Sequence, residues 1–177
     1  MRLVTYGAAC SLDGFIARAD GDIDWLLMTD DARKVMAEYW PRIDTVLMGR
    51  KTWEQAAAMG GGGGYPGVGT YVFSRTMAMD PTPGVTLVKE DAGEFVRRLK
   101  RGKGKDICVM GGGEFARSLF EAGVIDEVGI NVHPVLLGSG IPLFRDPGRQ
   151  VNLRLVECRP MQKGCVMLTY RTKSLKP

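Results

Sequence analysis

Gly111, Gly112 and Gly113, with Glu114 and Phe115 behind them, stand where an apolar run gives way to a helical pattern. A bare backbone at such a turn lets a pyrophosphate approach the unpaired N–H groups and the positive end of the helix. A tight strand-to-helix turn also needs glycine with no ligand at all, so the triplet alone decides nothing. A second junction offers more: Gly49, Arg50, Lys51 and Thr52 combine a flexible glycine, two cations and a hydroxyl at the start of another helix. Those are the parts of a phosphate site. Ser74 and Arg75 follow a third apolar run and can converge on the same group if the two strands are neighbours. An arginine fork suits the 2′-phosphate of NADP, whereas an NAD site typically sets a carboxylate at the ribose. The expected cofactor is therefore NADPH. Taken singly, each arginine reads as a solvated surface charge; three anion-suited turns together weaken that reading.

The elements that must position these turns follow from periodicity. Residues 2–10 form an apolar, β-rich run that meets the turn composition of Ser11-Leu12-Asp13-Gly14, and residues 15–17 resume it. After the turn at Asp20-Gly21-Asp22, Asp30 can cap a helix that places Val35, Met36, Tyr39 and Trp40 on one face and ends before Pro41. Residues 45–48 predict a strand and 51–59 a helix, while the glycines between 60 and 69 read as a mobile loop rimming a site. Strands are expected over 71–73, 85–88, 106–110 and 124–132, and helices over 92–101 and from 111 through 122. Residues 153–158 and 165–171 can close the sheet as an antiparallel hairpin. Strands alternating with helices imply an α/β domain, with a mainly parallel sheet, helices on both faces and an antiparallel C-terminal edge. Ligands on such sheets bind at the carboxyl ends of strands, where all three turns fall. A standard Rossmann arrangement fits poorly, because its glycine turn follows the first strand and here it comes late.

Composition narrows the function classes. The chain has 177 residues, 45% hydrophobic and 25% charged, which suits a single domain over 1–177 with its own core. No stretch approaches the roughly 18 apolar residues of a membrane span, and residues 1–10 open as a strand, so a cytoplasmic protein is expected. Cys10, Cys108, Cys158 and Cys165 are scattered and read as buried thiols, and with one histidine, His133, no metal site can be assembled. The formal charge of +4 is too mild for a nucleic-acid face. The basic run at 97–105 ends a helix, where cations complement the dipole.

The segments Ser11-Leu12-Asp13-Gly14-Phe15-Ile16-Ala17, Val46-Leu47-Met48-Gly49-Arg50-Lys51-Thr52-Trp53-Glu54, Val109-Met110-Gly111-Gly112-Gly113 and Pro134-Val135-Leu136-Leu137-Gly138-Ser139-Gly140-Ile141-Pro142-Leu143-Phe144 carry a resemblance over nearly the whole chain. In order and spacing they resemble the reductase domain of bacterial riboflavin biosynthesis and its dihydrofolate reductase-like relatives. The resemblance implies a dihydrofolate reductase-like three-layer sandwich and an NADPH-dependent reductase acting on a pterin, ribityl-pyrimidine or flavin-like ring. It implies that Ala8 and Ala9 meet the nicotinamide amide and that Ile16 and Ala17 border its ribose. Gly49, Arg50, Lys51 and Thr52 would hold phosphates, Ser74 and Arg75 would flank the 2′-phosphate, and Gly111 to Phe115 would wrap the pyrophosphate. A homodimer is expected on the same ground. The deaminase usually fused to this reductase leaves no His/Cys motif here, so a stand-alone relative is implied.

Hydride reduction also needs a proton, from a carboxylic acid or a bound water. Asp13 and Asp24 are the candidates, although Asp13 can equally shape its turn and Asp24 cap a short helix. Neither matches with certainty the acid that dihydrofolate reductases carry on their first helix. Trp25, His133, Leu136 and Leu137 are candidates for the substrate pocket; burial in the core is the commoner fate of such residues. Trp53 is assigned to packing. A non-catalytic NADP-binding sensor is the alternative, and a nucleic-acid binder a more distant one.

Overall fold

The computed structural model describes residues 1–61, 64–78, 82–148 and 150–172. Eight strands build one sheet. They are β1 (Val4–Ser11), β3 (Ile43–Gly49), β4 (Gly69–Phe73), β5 (Val85–Val88), β6 (Asp106–Met110), β7 (Glu127–His133), β9 (Leu153–Pro160) and β10 (Val166–Thr172), in the order β5-β4-β3-β6-β1-β7-β10-β9. Of these, β10 alone runs against the other seven. A two-stranded satellite pairs β2 (Phe15–Ala17) with β8 (Ile141–Pro142).

The central strands are apolar on both sides because helices cover both faces. Val46, Leu47 and Met48 are all buried, as are Ile107, Cys108 and Val109. Helices α3 (Ala92–Arg101) and α4 (Gly113–Glu121) cover one face, burying Phe95, Val96, Leu119 and Phe120 in the main core. Complete burial of such a side chain stabilises by about 1.5–3 kcal/mol. Helices α1 (Asp30–Tyr39) and α2 (Arg50–Ala58) lie on the other face, where Tyr39, Trp40 and Trp53 pack on a smaller cluster around Val46 and Met48. Arg2, at the foot of β1, is buried and ion-paired with Asp44, and its Nε donates to Lys105 O at 2.6 Å. These bonds tie the amino ends of β1, β3 and β6 together.

Three local expectations are corrected. Thr29, not Asp30, caps α1, its Oγ1 accepting from Ala32 N at 3.3 Å. The strand expected from 124 begins at Glu127; Val124 and Ile125 are apolar because they lie buried in the connection after α4, not because they pair. Cys158 is exposed on the edge strand β9, whereas Cys10, Cys108 and Cys165 are buried. Burial pushes the Cys10 and Cys108 thiols up to about 11, so they remain protonated and unreactive near neutrality. In the glycine-rich loop, Gly62 and Gly63 lie outside the described residues.

Three cations of the basic run are matched within the protein. Arg98 pairs with Glu90 at 2.7 Å, Lys100 with Asp126 at 2.6 Å, and Arg97 donates to Ala122 O at 3.0 Å. Among the described residues no helix is long and apolar enough to cross a membrane.

Candidate functional site

β3 and β4 are parallel neighbours with Gly49 opposite Phe73, so the turns at 49–52 and 74–76 leave the sheet side by side. Arg50 Nη1 donates to Thr76 Oγ1 at 3.2 Å and its Nε to Glu54 Oε1 at 2.8 Å. Ser74 Oγ accepts from the N–H groups of Thr76 and Met77 (3.3 and 3.1 Å), which closes its own turn. Lys51 and Arg75 are exposed. On the other side β3 pairs with β6, which brings Gly111–Gly113 against the start of α2.

Two helix starts therefore meet at the carboxyl ends of adjacent strands. Gly111 and Gly112 have φ of 55° and 63°, left-handed values that glycine alone adopts freely. A Cβ on Gly111 would lie 2.9 Å from Thr52 Cγ2, and one on Gly49 would lie 3.2 Å from Phe115 Cβ. Phe115 in turn stacks on Phe73 with centroids 4.7 Å apart, while Glu114 is exposed. Close packing of the two junctions thus requires these glycines in its own right, and any ligand would use a cradle already shaped by it.

The caps carry the stronger signal. A helix start leaves four N–H groups without an intrahelical partner. Thr29 caps α1 and Asp91 caps α3, but α2 and α4, beginning at Gly49 and Gly112, have no side-chain cap. Two adjacent uncapped helix starts with Arg50, Lys51 and Arg75 beside them suit a diphosphate and a further phosphate. Nearer the middle of the sheet, Ala8 and Ala9 are half-buried in β1, and Ile16 of β2 packs on the main core with Ala17 buried next to it. An open recess of about 480 Å³ lies between the 19–23 loop and α2, lined in part by Asp20, Ile23, Gln55 and Met59.

A second feature lies under α1. Paired strand residues point to the same face, so Gly7, Ala9 and Ser11 of β1 share it with Gly129, Asn131 and His133 of β7. Met167 of β10 stands opposite Asn131. The helix spans this face from the 162 turn, where Gln162 N donates to Asp31 Oδ2 at 2.6 Å, to the cluster of Tyr39 with Cys108. No residue of α1 is buried, and Gly7, Ala9 and Asn131 are partly exposed although their strands are central. Gly7 and Ala9, with at most one side-chain carbon each, leave a partly exposed cleft beside Asn131 between helix and sheet, while Gly129 is covered by Met167 and Thr5.

Buried polar atoms in folded proteins are almost always hydrogen-bonded, and each exception calls for an explanation. Among the described residues the exceptions are Trp25 Nε1, Tyr39 Oη, Asn131 Oδ1 and His133 Nε2, all belonging to residues on the α1 side of the sheet. Trp25 meets His133 edge to face at 5.4 Å. Leu27 N donates to His133 Nδ1 at 3.2 Å, so the ring proton resides on Nε2, and burial holds the imidazole below its ordinary pKa and hence neutral.

The carboxylates are otherwise engaged. Asp13 accepts from Ser11 Oγ (2.6 Å), Leu137 N (3.1 Å) and Gly138 N (2.7 Å), and the Ser11 bond leads the causes that hold its carboxyl below the usual range. It clamps the 11–14 turn to the 134–138 loop. Asp24 makes a two-pronged pair with Arg18, at 2.7 and 3.3 Å, which lowers its pKa as well. Both shifts favour the ionised carboxylate, which carries no proton to donate. Asp30 and Asp31, in the first turn of α1, are taken up by Arg33 and by Thr29, Ala32 and Gln162 respectively. The backbone N–H of Leu137 joins the Asp13 clamp while its side chain is half-buried, and Leu136 is 70% exposed. No group of three or more metal-binding side chains occurs among the described residues.

The strand order, the antiparallel C-terminal pair and the two helix layers define a dihydrofolate reductase-like α/β fold. Dihydrofolate reductase from Enterococcus faecalis, in a complex with NADP(H), superposes with a TM-score of 0.72 at 18% identity over 97% of both chains. A protein from Shewanella sp. PV-4 provisionally assigned to riboflavin biosynthesis superposes with a TM-score of 0.84 at 26% identity, covering 97% of this chain and 99% of that one. The deaminase/5-amino-6-(5-phosphoribosylamino)uracil reductase of Thermotoga maritima gives 0.73 at 19% identity, over 97% of this chain and 57% of that one. The model of the RibD C-terminal domain matches residues 2–167, and the chain belongs to that family. Two Bacillus subtilis (strain 168) relatives are uncharacterized: YwjB, 38% identical over 83% of this chain and 85% of its own, and YyaP, 31% identical over 96% and 94%.

Proposed function

We propose that the protein is an NADPH-dependent reductase of a small heterocyclic ring. The observation that carries this reading is the contrast in caps: among the described residues the α-helix starts at Gly49 and Gly112 are the two without a side-chain cap. Gly49, Arg50, Lys51 and Thr52, with Gly111 to Phe115, would hold the pyrophosphate, and Ser74, Arg75 and Arg50 would hold the 2′-phosphate. Ala8, Ala9, Ile16 and Ala17 would border the nicotinamide end. When bound, NADPH would supply the hydride.

The protein's own part at the substrate is to seat the ring under α1, exclude bulk water and admit the proton. With Asp13 and Asp24 both spent on internal bonds, the proton is assigned to a water held in the cleft, beside His133 Nε2. A non-catalytic NADP-binding module would share the cofactor turns but gives no account of the unpartnered polar atoms in the cleft. NADPH oxidation should be followed with pterin, ribityl-pyrimidine and flavin acceptors. Turnover with one of them supports the reductase; cofactor binding with no turnover on any of them supports the sensor.

The expected homodimer belongs to the same proposal. Every residue of the edge strand β9 is exposed, with Leu155 and Val156 among them, which gives a second copy an apolar edge to cover. A monomer mass by light scattering at micromolar concentration would remove the dimer.

A further inference from the structure

We propose that Asn131 is the specificity-determining residue of the cleft, reading the adjacent N–H and C=O of an uncharged lactam ring. This rests on the reductase reading and deepens it. Asn131 lies mid-strand in β7, between Ala9 of β1 and Met167 of β10, on a face where Gly7 and Ala9 carry at most one side-chain carbon and are partly exposed, while Gly129 is covered by Met167 and Thr5. Its Oδ1 is buried with no hydrogen-bond partner among the described residues. A carboxamide offers a donor and an acceptor side by side, so it matches a lactam edge whichever way it is turned. His133, two residues along the same strand face and about 7 Å away, adds a neutral N–H donor for a further carbonyl.

Charge decides between ring types. A protonated amidine edge, as in a 2,4-diaminopteridine, is held by a free carboxylate, which forms charge-assisted paired bonds with it. Among the described residues the carboxylates nearest the cleft are engaged elsewhere: Asp31 spends both oxygens on Thr29, Ala32 and Gln162, the exposed Asp30 pairs with Arg33, and Asp13 is held by three donors. An amidine would also set donors against the His133 N–H and leave it unpaired. A neutral lactam satisfies both side chains.

The test uses the whole protein saturated with NADP⁺ and two matched probes, pterin and 2,4-diaminopteridine, which differ in the lactam edge. The wild-type protein should bind pterin at least about tenfold tighter, since a buried polar group left unpaired costs about that much. Asn131→Ala should erase the preference, and the isosteric Asn131→Asp should reverse it by supplying the missing carboxylate. NADP⁺ affinity, measured in the same titrations, should be unchanged in both variants. Equal binding of the two probes by the wild type, a preference that survives Asn131→Ala, or no binding of either probe overturns the role of Asn131. Failure of NADP⁺ to bind the wild type instead overturns the cofactor reading on which the role rests.

Discussion

Helices α1 and α3 begin on a threonine and an aspartate that fold back onto their own N–H groups, while α2 and α4 begin on glycines that cannot. The first pair is complete within the chain. The second pair, adjacent at the carboxyl ends of β3 and β6, has no side-chain cap at its positive ends. The difference teaches where to look for a ligand, because glycine starts a helix at little cost in stability yet leaves its first N–H groups without a side-chain acceptor.

Converting an uncapped start into a capped one should break the comparison most sharply. Gly49 has ordinary extended angles (φ −79°, ψ 160°), so Gly49→Asp can cap α2, at the cost of a small shift of Phe115. The carboxylate would then occupy and repel the anion position, and NADPH affinity should fall about 100-fold while the fold is kept. Retention of wild-type affinity in a titration would remove Gly49 from the site. Arg50→Ala and Arg75→Ala should each weaken NADPH about tenfold and leave NADH nearly unchanged, because only NADPH loses a charge-assisted partner. Equal losses for both nucleotides would sink the 2′-phosphate assignment.

The capped helices should respond in the opposite way. Thr29→Ala and Asp91→Ala should each lower unfolding stability by about 1 kcal/mol in urea titrations, with NADPH affinity unchanged. A smaller effect is expected from His133. Its pKa is lowered by burial, so the unfolded chain takes up the proton first as pH drops. The stability it contributes is fully present above about 6.5 and is lost as pH falls below that value toward the folded pKa. His133→Gln should flatten this slope between about pH 7 and pH 5.5; an unchanged slope would assign the acid sensitivity to other groups.

Much of the fold was legible because its strongest signals are local. Continuous apolar runs at 45–48 and 106–110 are what a doubly covered parallel sheet requires, and the glycine turns mark where those strands end. The boundary at 124–127 was not legible, since buried connection and buried strand look alike in hydropathy. Of the candidate site, the expectation that Gly49–Thr52 and Ser74–Arg75 could converge required β3 and β4 to be neighbours; they are, and Arg50 reaches Thr76, while Ser74 closes its own turn. The role of Asp13 could not be read because its partners Leu137 and Gly138 are more than a hundred positions away in the chain. Asn131 was overlooked although a signal existed: Gly129, Asn131 and His133 alternate with Val128, Ile130 and Val132, a period-two polarity that marks one face of a strand as unlike the other. Two residues of a known type at helix starts, Thr29 and Asp30, were likewise interchangeable until geometry chose between them.

The central claim is that the two uncapped helix starts and their arginines hold NADPH. A calorimetric titration of the purified protein with NADPH, and separately with NADH, tests it most directly. The account predicts saturable binding of NADPH, about tenfold or more tighter than NADH. Binding of neither nucleotide, or equal binding of both, would contradict it.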